Sequence, residues 1–172
     1  MLYVRKATLA DLAKMEEIIQ SATAFLAEQG SPQWQNGYGP NVTDLQLDIQ
    51  RGESYVLILD GQVVGVSALV TGVDPIYTAI TEGTWDETYK EYLSIHRIAF
   101  DLSIRGQGLA KTFLQLLITV GRQLGYHDIR IDTYPRNALM EKAIYASGFT
   151  YQGMVKFNIP EGERKAYQVV ID

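Results

Sequence analysis

The apolar run Tyr92–Phe100 breaks into Asp101-Leu102-Ser103-Ile104-Arg105-Gly106-Gln107-Gly108, and apolar residues then resume at Leu109, Phe113, Leu116, Leu117, Val120 and Leu124. The first run reads as a strand. The second repeats at helical spacing and buries one face, with Gly125 placed to stop it. A further strand, Ile129–Thr133, follows at once. Strand, turn, helix and strand in that order form a crossover, which predicts an α/β chain whose sheet is flanked by helices. The turn also offers a specific chemistry. The first turn of a helix leaves main-chain N–H groups unpaired and carries partial positive charge. Glycines there let the backbone approach phosphate oxygens without an intervening Cβ, so a pyrophosphate is the natural guest.

Two familiar nucleotide loops fail at named positions. A dinucleotide fingerprint needs a third glycine where Lys111 stands. A Walker loop ends Gly-Lys-Ser/Thr; here Lys111-Thr112 follows Ala110, and Arg105 occupies the place of the first glycine. A kinase built on Lys111-Thr112 is therefore a weak third reading. What fits is Gln/Arg-x-x-Gly-x-Gly/Ala, met by Arg105, Gly108 and Ala110. With Asn137 after the next strand, a short helix, and Gly148-Phe149 beyond it, this segment resembles the GNAT superfamily of N-acetyltransferases. The likeness runs from about Tyr92 to Tyr167, and the wording IDTYPRN…SGFTYQG is similar to small bacterial-type members whose acceptors are often unassigned.

The remaining elements suit one domain over residues 1–172. Leu2–Lys6 reads as a strand, and Thr8 can cap a helix with the stripe Leu12, Met15, Ile19, Ala22 and Leu26. Gly30 ends that region, and Ser31–Asn41 is loop-like in composition. Ser54–Leu59 and Gln62–Thr71 form a hairpin around Asp60-Gly61, a strong turn signal. Pro75–Asp86 reads as loop. A helix from Asn137 to Ser147, then strands at Tyr151–Val155 and Arg164–Ile171, complete the chain. The resemblance implies a mixed, mostly antiparallel sheet whose central strands splay apart.

Composition excludes several classes. There is no cysteine, which removes disulfides, thiolate metal sites and an acyl-cysteine intermediate. Two histidines and no cysteine are a poor ligand set for a structural zinc site, so no metal is expected. The net charge of −5 disfavours a nucleic-acid partner. The start turns amphipathic and charged within a few residues, and no apolar run is long enough to span a bilayer, so a cytoplasmic protein without a membrane partner is expected. Exposed sheet edges leave room for a homodimer.

The resemblance implies acetyl-coenzyme A as cofactor, with Arg105, Gly106, Gln107, Gly108, Leu109, Ala110 and Lys111 at its pyrophosphate. It places the main chain of Ile98, Ala99 and Phe100 along the pantetheine arm, where an N–H would polarise the thioester carbonyl. Asn137 would bond the arm from the other side; capping the last helix is an equally open role for it. The implied reaction is direct attack by a primary amine, of a small molecule, an amino acid or a peptide, in a ternary complex. Many members use a tyrosine four residues before the Gly of Gly-Phe as proton donor. Ile144 stands there, and the tyrosine is Tyr145, turned by roughly 100° around a helix. Tyr145 is the first donor candidate and Tyr134 the second; either can equally be a packed tyrosine with a satisfied hydroxyl.

His96, on a central strand, shares a face by alternation with Ser94, Ile98 and Phe100, and a neutral imidazole there can accept an ammonium proton. A core histidine is the plainer role. Arg97 points to the opposite face, suited to ordering a loop or a phosphate. His127, at a helix end, reads as structural. Trp34 and Tyr38 sit where the acceptor would be walled, or else anchor their loop on the core. The acidic run Glu82, Asp86, Glu87 and Glu91 fits a solvated loop better than a polyamine site. A coenzyme A-binding regulatory module without turnover is the alternative function.

Overall fold

The computed structural model describes residues Met1–Asp172. The elements in chain order are β1 (Leu2–Lys6), α1 (Leu12–Glu28), α2 (Val42–Gln50), β2 (Ser54–Leu59), β3 (Gln62–Val70), β4 (Tyr92–Phe100), α3 (Leu109–Gln123), β5 (Asp128–Thr133), α4 (Ala138–Ala146), β6 (Thr150–Lys156) and β7 (Glu163–Val170). The strand order in the sheet is β1-β2-β3-β4-β5-β7-β6. β1–β2, β2–β3, β5–β7 and β6–β7 pair antiparallel, whereas β4–β5 pair parallel. The parallel β4–β5 pair follows from its connection. A helix-bearing crossover returns the chain in the same direction, and tight turns cannot. The α/β fold with a mixed, mostly antiparallel sheet is thus observed. None of the helices is long and apolar enough to cross a membrane.

The chain divides into two compact units, Met1–Leu69 with Arg97–Leu109, and Val70–His96 with Ala110–Asp172. In the first, Met15, Ile18 and Ile19 of α1, Leu45 of α2, Val56 and Ile58 of β2, Val66 of β3 and Ala99 of β4 form one buried cluster. Thr8 does not open α1 directly. Its N–H and hydroxyl both donate to Asp11 Oδ2 (2.8 and 3.0 Å), and a short 3-10 turn at Leu9–Asp11 precedes the helix. Arg5 clamps the same carboxylate through both of its terminal nitrogens at 2.8 Å.

Helix α2 is absent from the sequence reading, which assigned nothing between Asn41 and Ser54. It begins with a reciprocal capping box: Asp44 N–H donates to Asn41 Oδ1 (3.0 Å), and Asn41 N–H donates to Asp44 Oδ2 (2.9 Å). Its buried Asp48 accepts two bonds from the Arg97 guanidinium, at 2.6 and 2.7 Å. Arg97 lies at φ +53, a left-handed kink inside β4. The kink interrupts the pleat, so the side-chain alternation expected from His96 to Ile98 and Phe100 does not carry through residue 97. The ion pair holds the kink in place.

In the second unit, Tyr77, Trp85, Tyr92, Val155 and Ala166 are buried together. Gly121 lets α3 lie close on the sheet, since a Cβ there would come within 2.7 Å of Ile129 Cδ1 and 3.1 Å of Leu93 Cδ1. The Pro75–Asp86 loop holds a 3-10 turn at Tyr77–Ala79, and Thr81 bridges to Met154 of β6.

Candidate active site

The expected phosphate turn lies in the first unit. β4 ends at Phe100, and Asp101 N–H donates to Val64 O (2.9 Å). The Asp101 carboxylate accepts from Ser103 N–H (2.9 Å) and meets Lys14 Nζ at 2.9 Å. The Lys14 ammonium, helped by that N–H, draws the carboxyl from its ordinary 3.8 to about 2. Buried Ile104 plugs the 3-10 turn Leu102–Ile104, leaving Arg105, Gly106, Gln107 and Gly108 exposed.

Gly106 and Gly108 have φ +78 and +71, and a Cβ on either would meet no protein atom within 4 Å. Packing therefore gives no reason for glycine here. The left-handed backbone does, and open space lies where an anion could approach the head of α3. Arg105, expected at the phosphate, stacks its guanidinium on the Phe25 ring at 3.9 Å, so its side chain braces the turn against α1. Ala99 is buried, while Ile98 and Phe100 are half-buried. Lys111 is exposed one turn into the helix.

In the second unit β4 and β5 keep register from Tyr92–Asp128 to Ile95–Ile131. β5 continues to Thr133 on β7. His96 and Asp132 are the next residues of the two strands. His96 Nε2 lies 2.9 Å from Asp74 Oδ2, and the Tyr77 hydroxyl donates to Asp132 Oδ2 at 2.7 Å. The rings of Tyr77 and His96 are 6.0 Å apart. Burial pushes the Asp132 carboxyl up, against the opposing pull of His96, the Tyr77 hydroxyl and Arg164. Burial, then the Asp132 charge, pushes the Tyr77 hydroxyl well above its ordinary value, so it remains a donor. Asp74, Tyr77, Asp132 and Arg164 were all missed by the sequence reading. The available signal was charge: Asp128, Arg130 and Asp132 alternate along a strand that is otherwise apolar.

The segment carrying Asp74 and Tyr77 is tied down at several points. Trp85 Nε1 donates to Tyr77 O (2.7 Å), and Asp86 exchanges two 2.8 Å bonds with the Gln168 amide. Arg130, paired with buried Asp128 at 2.8 Å, is sandwiched between Trp85 and Tyr92, at 4.3 and 3.8 Å from their ring centres.

The tyrosine candidates differ. Tyr134 is buried, and its hydroxyl accepts from Arg136 at 2.6 Å. Ile144, in the position where a donor tyrosine was expected by resemblance, is fully buried, and Tyr145 is 48% exposed. Tyr145 packs edge-on against Tyr167 at 5.5 Å, whose hydroxyl bonds the Glu141 carboxylate. Asn137 Oδ1 accepts from Met140 N–H at 3.2 Å, so it does cap α4. His127 stacks on Tyr89 at 4.4 Å, with Nδ1 2.7 Å from Ile171 O.

Trp34, at φ +64, packs on the core of the first unit. With Ile19, Gln20, Thr23 and Asn36 it also lines an open depression of about 450 Å³. Tyr38 is exposed and does not line that depression. No group of three or more His, Asp or Glu side chains is arranged to hold a metal ion.

The model of the acetyltransferase (GNAT) family matches residues 19–149. A GNAT-family acetyltransferase from Streptococcus agalactiae 2603 is 36% identical with a TM-score of 0.89, covering 99% of this chain and 96% of that one. One from Listeria monocytogenes 4b F2365 is 22% identical with a TM-score of 0.76, over 99% and 95% of the two chains. The protein yncA of Salmonella typhimurium, solved with its cofactor acetyl-CoA, shares the fold at 18% identity and a TM-score of 0.68, over 99% and 94%. Comparison with curated proteins finds no match. The family match across 19–149 and the 36% identical relative together establish that the chain belongs to the GNAT family of acetyltransferases.

Proposed function

We propose that this chain moves the acetyl group of acetyl-CoA to a primary amine by direct attack in a ternary complex. The observation that carries the proposal is the exposed turn Arg105–Gly108, with both glycines in left-handed backbone at the head of α3. Such a head receives a pyrophosphate through main-chain N–H groups and the helix dipole. Gly106, Gln107, Gly108, Leu109, Ala110 and Lys111 supply it, and Arg105 braces it. We read residues 1–172 as one domain, because the family match draws on both compact units.

The coenzyme supplies an activated thioester. Around it the main chain of Ile98, Ala99 and Phe100 holds the arm and offers an N–H to the carbonyl oxygen, where negative charge develops. Asn137 bonds the arm from the other side while capping α4. The acceptor nitrogen forms a bond to the carbonyl carbon, the carbon–sulfur bond breaks, and the sulfur leaves as a thiolate. An alkylammonium must first lose a proton, and His96 accepts it. Tyr145, or Tyr134 in its place, gives a proton to the thiolate and is restored by the second proton that the nitrogen sheds on becoming an amide. Trp34 walls the acceptor, with Tyr38 at the rim.

Calorimetry with coenzyme A tests the turn. Gly108→Val forces a β-branched residue into a left-handed conformation that costs about 1–2 kcal/mol, and puts a side chain where phosphate would lie. Binding is expected to be lost; unchanged binding would remove the assignment. A panel of primary amines (an alkyl diamine, amino-acid amides, an aminoglycoside) with acetyl-CoA, followed by free thiol, tests transfer. Thiol release that depends on the amine supports it. Coenzyme binding with no release from any amine supports the regulatory module, a reading favoured by Ile144 at the donor position.

A further inference from the structure

The segment between β3 and β4 contributes a group to the proton acceptor. Asp74 precedes Pro75, which restricts Asp74 to extended backbone. Its N–H donates to the Tyr92 hydroxyl at 2.7 Å, and its Oδ1 accepts from Ile76 N–H at 3.1 Å. One carboxylate oxygen is thereby aimed, and the other, Oδ2, stands 2.9 Å from His96 Nε2. Both side chains are largely shielded, with relative exposures of 16% and 18%. A charge-assisted bond is strengthened by such shielding.

We propose that Asp74 is a positioning residue for His96. Its carboxylate takes the Nε2–H, so the neutral ring carries its lone pair on Nδ1, and the imidazolium formed when that nitrogen gains a proton is balanced at once. The inference rests on the reading of His96 as the proton acceptor. The proton leaves the ammonium nitrogen of the acceptor and arrives at Nδ1; Asp74 keeps its charge throughout, and no other bond changes.

Other groups act on the same ring. Asp132 of β5 attracts the imidazolium, tempered by Arg164 of β7, and the Tyr77 ring and hydroxyl flank both. The Tyr92 hydroxyl of β4 accepts from the Asp74 N–H. A variant that changes Asp74 alone keeps all of these constant.

His96 and His127 are the two histidines of the chain, so proton NMR of the full chain resolves their ring signals without any acceptor. His96→Gln assigns the signals. In Asp74→Asn, whose side-chain oxygen can still accept from Ile76, the His96 midpoint should move to lower pH by about one pH unit. The His127 midpoint should stay, showing that the fold is intact. Asp74→Glu should return the midpoint most of the way. A His96 midpoint unmoved in Asp74→Asn overturns the inference, as does an equal shift of both histidines. Turnover in the amine panel separates this from the underlying reading. His96→Gln with full activity removes His96 as acceptor and the inference with it. His96→Gln reduced about a hundredfold, with the Asp74→Asn midpoint unmoved, leaves His96 in its role and overturns Asp74 alone.

Discussion

Gly108 and Arg97 both occupy left-handed backbone, for opposite reasons. At Gly108 no protein atom lies within 4 Å of where a Cβ would stand, and the conformation leaves the proposed phosphate turn open. At Arg97 a long side chain is anchored on buried Asp48, which offsets the strain of φ +53. Asp48→Ala should therefore destabilise by about 3–5 kcal/mol in urea unfolding, because a guanidinium loses its partner and the kink its anchor. Asp101 acts at the same scale through titration. Lys14 holds its carboxyl at about 2 instead of 3.8, so the native state binds its proton less readily than the unfolded chain. The stability this adds is complete above 3.8 and disappears as pH falls through about 2. Asp11, held at about 2 by Arg5, follows the same course. Unfolding free energies measured across that window should fall less steeply in Asp101→Asn than in the parent. The glycine turn ahead of α3 could be read from sequence because the backbone's needs are local. Asp74 and Asp132 could not, since what makes them chemical is who they meet.

At the scale of elements, β2, β4 and β7 begin and end within a residue of the sequence reading. Apolar runs bounded by polar segments, and the Asp60-Gly61 turn, mark such strands sharply. Helix α2 was missed because its apolar stripe is thin, with Leu45 as its one buried apolar residue, although Asn41 and Asp44 form a capping box. The segment before β4 reads correctly as irregular, but its contacts, to β6, β7 and β5, are tertiary and leave no local pattern. Gly83 marks how tightly it is laid down, since a Cβ there would sit 1.8 Å from Gln152 O. Gly83→Ala should lift that segment from β6, seen as faster amide exchange around Thr81 and Met154. Gly121→Leu should cost about 1–3 kcal/mol by overpacking α3 against Leu93 and Ile129.

At the scale of the whole molecule, each compact unit is assembled from two separate stretches of chain. Residues Val70–His96 find their pairing partner β5 only after residue 127. The isolated fragment Ala110–Asp172 lacks Tyr92–Ile95 for β5, as well as Tyr77, Trp85 and Tyr92 from its core, and should show little circular dichroism of native type. Sequence periodicity foretold every strand and three of the four helices but not this interleaving, because periodicity describes which face is apolar and not which stretch covers it.

Interleaving has a consequence during synthesis. Chains emerge from the ribosome in order, and units close once their last segment is out. The first unit can close when Leu109 emerges. Val70–His96, translated earlier, must then wait on the nascent chain for almost everything that follows. A messenger that slows translation just after Leu109 would lengthen this exposed interval, and chaperone demand should concentrate there rather than at either end.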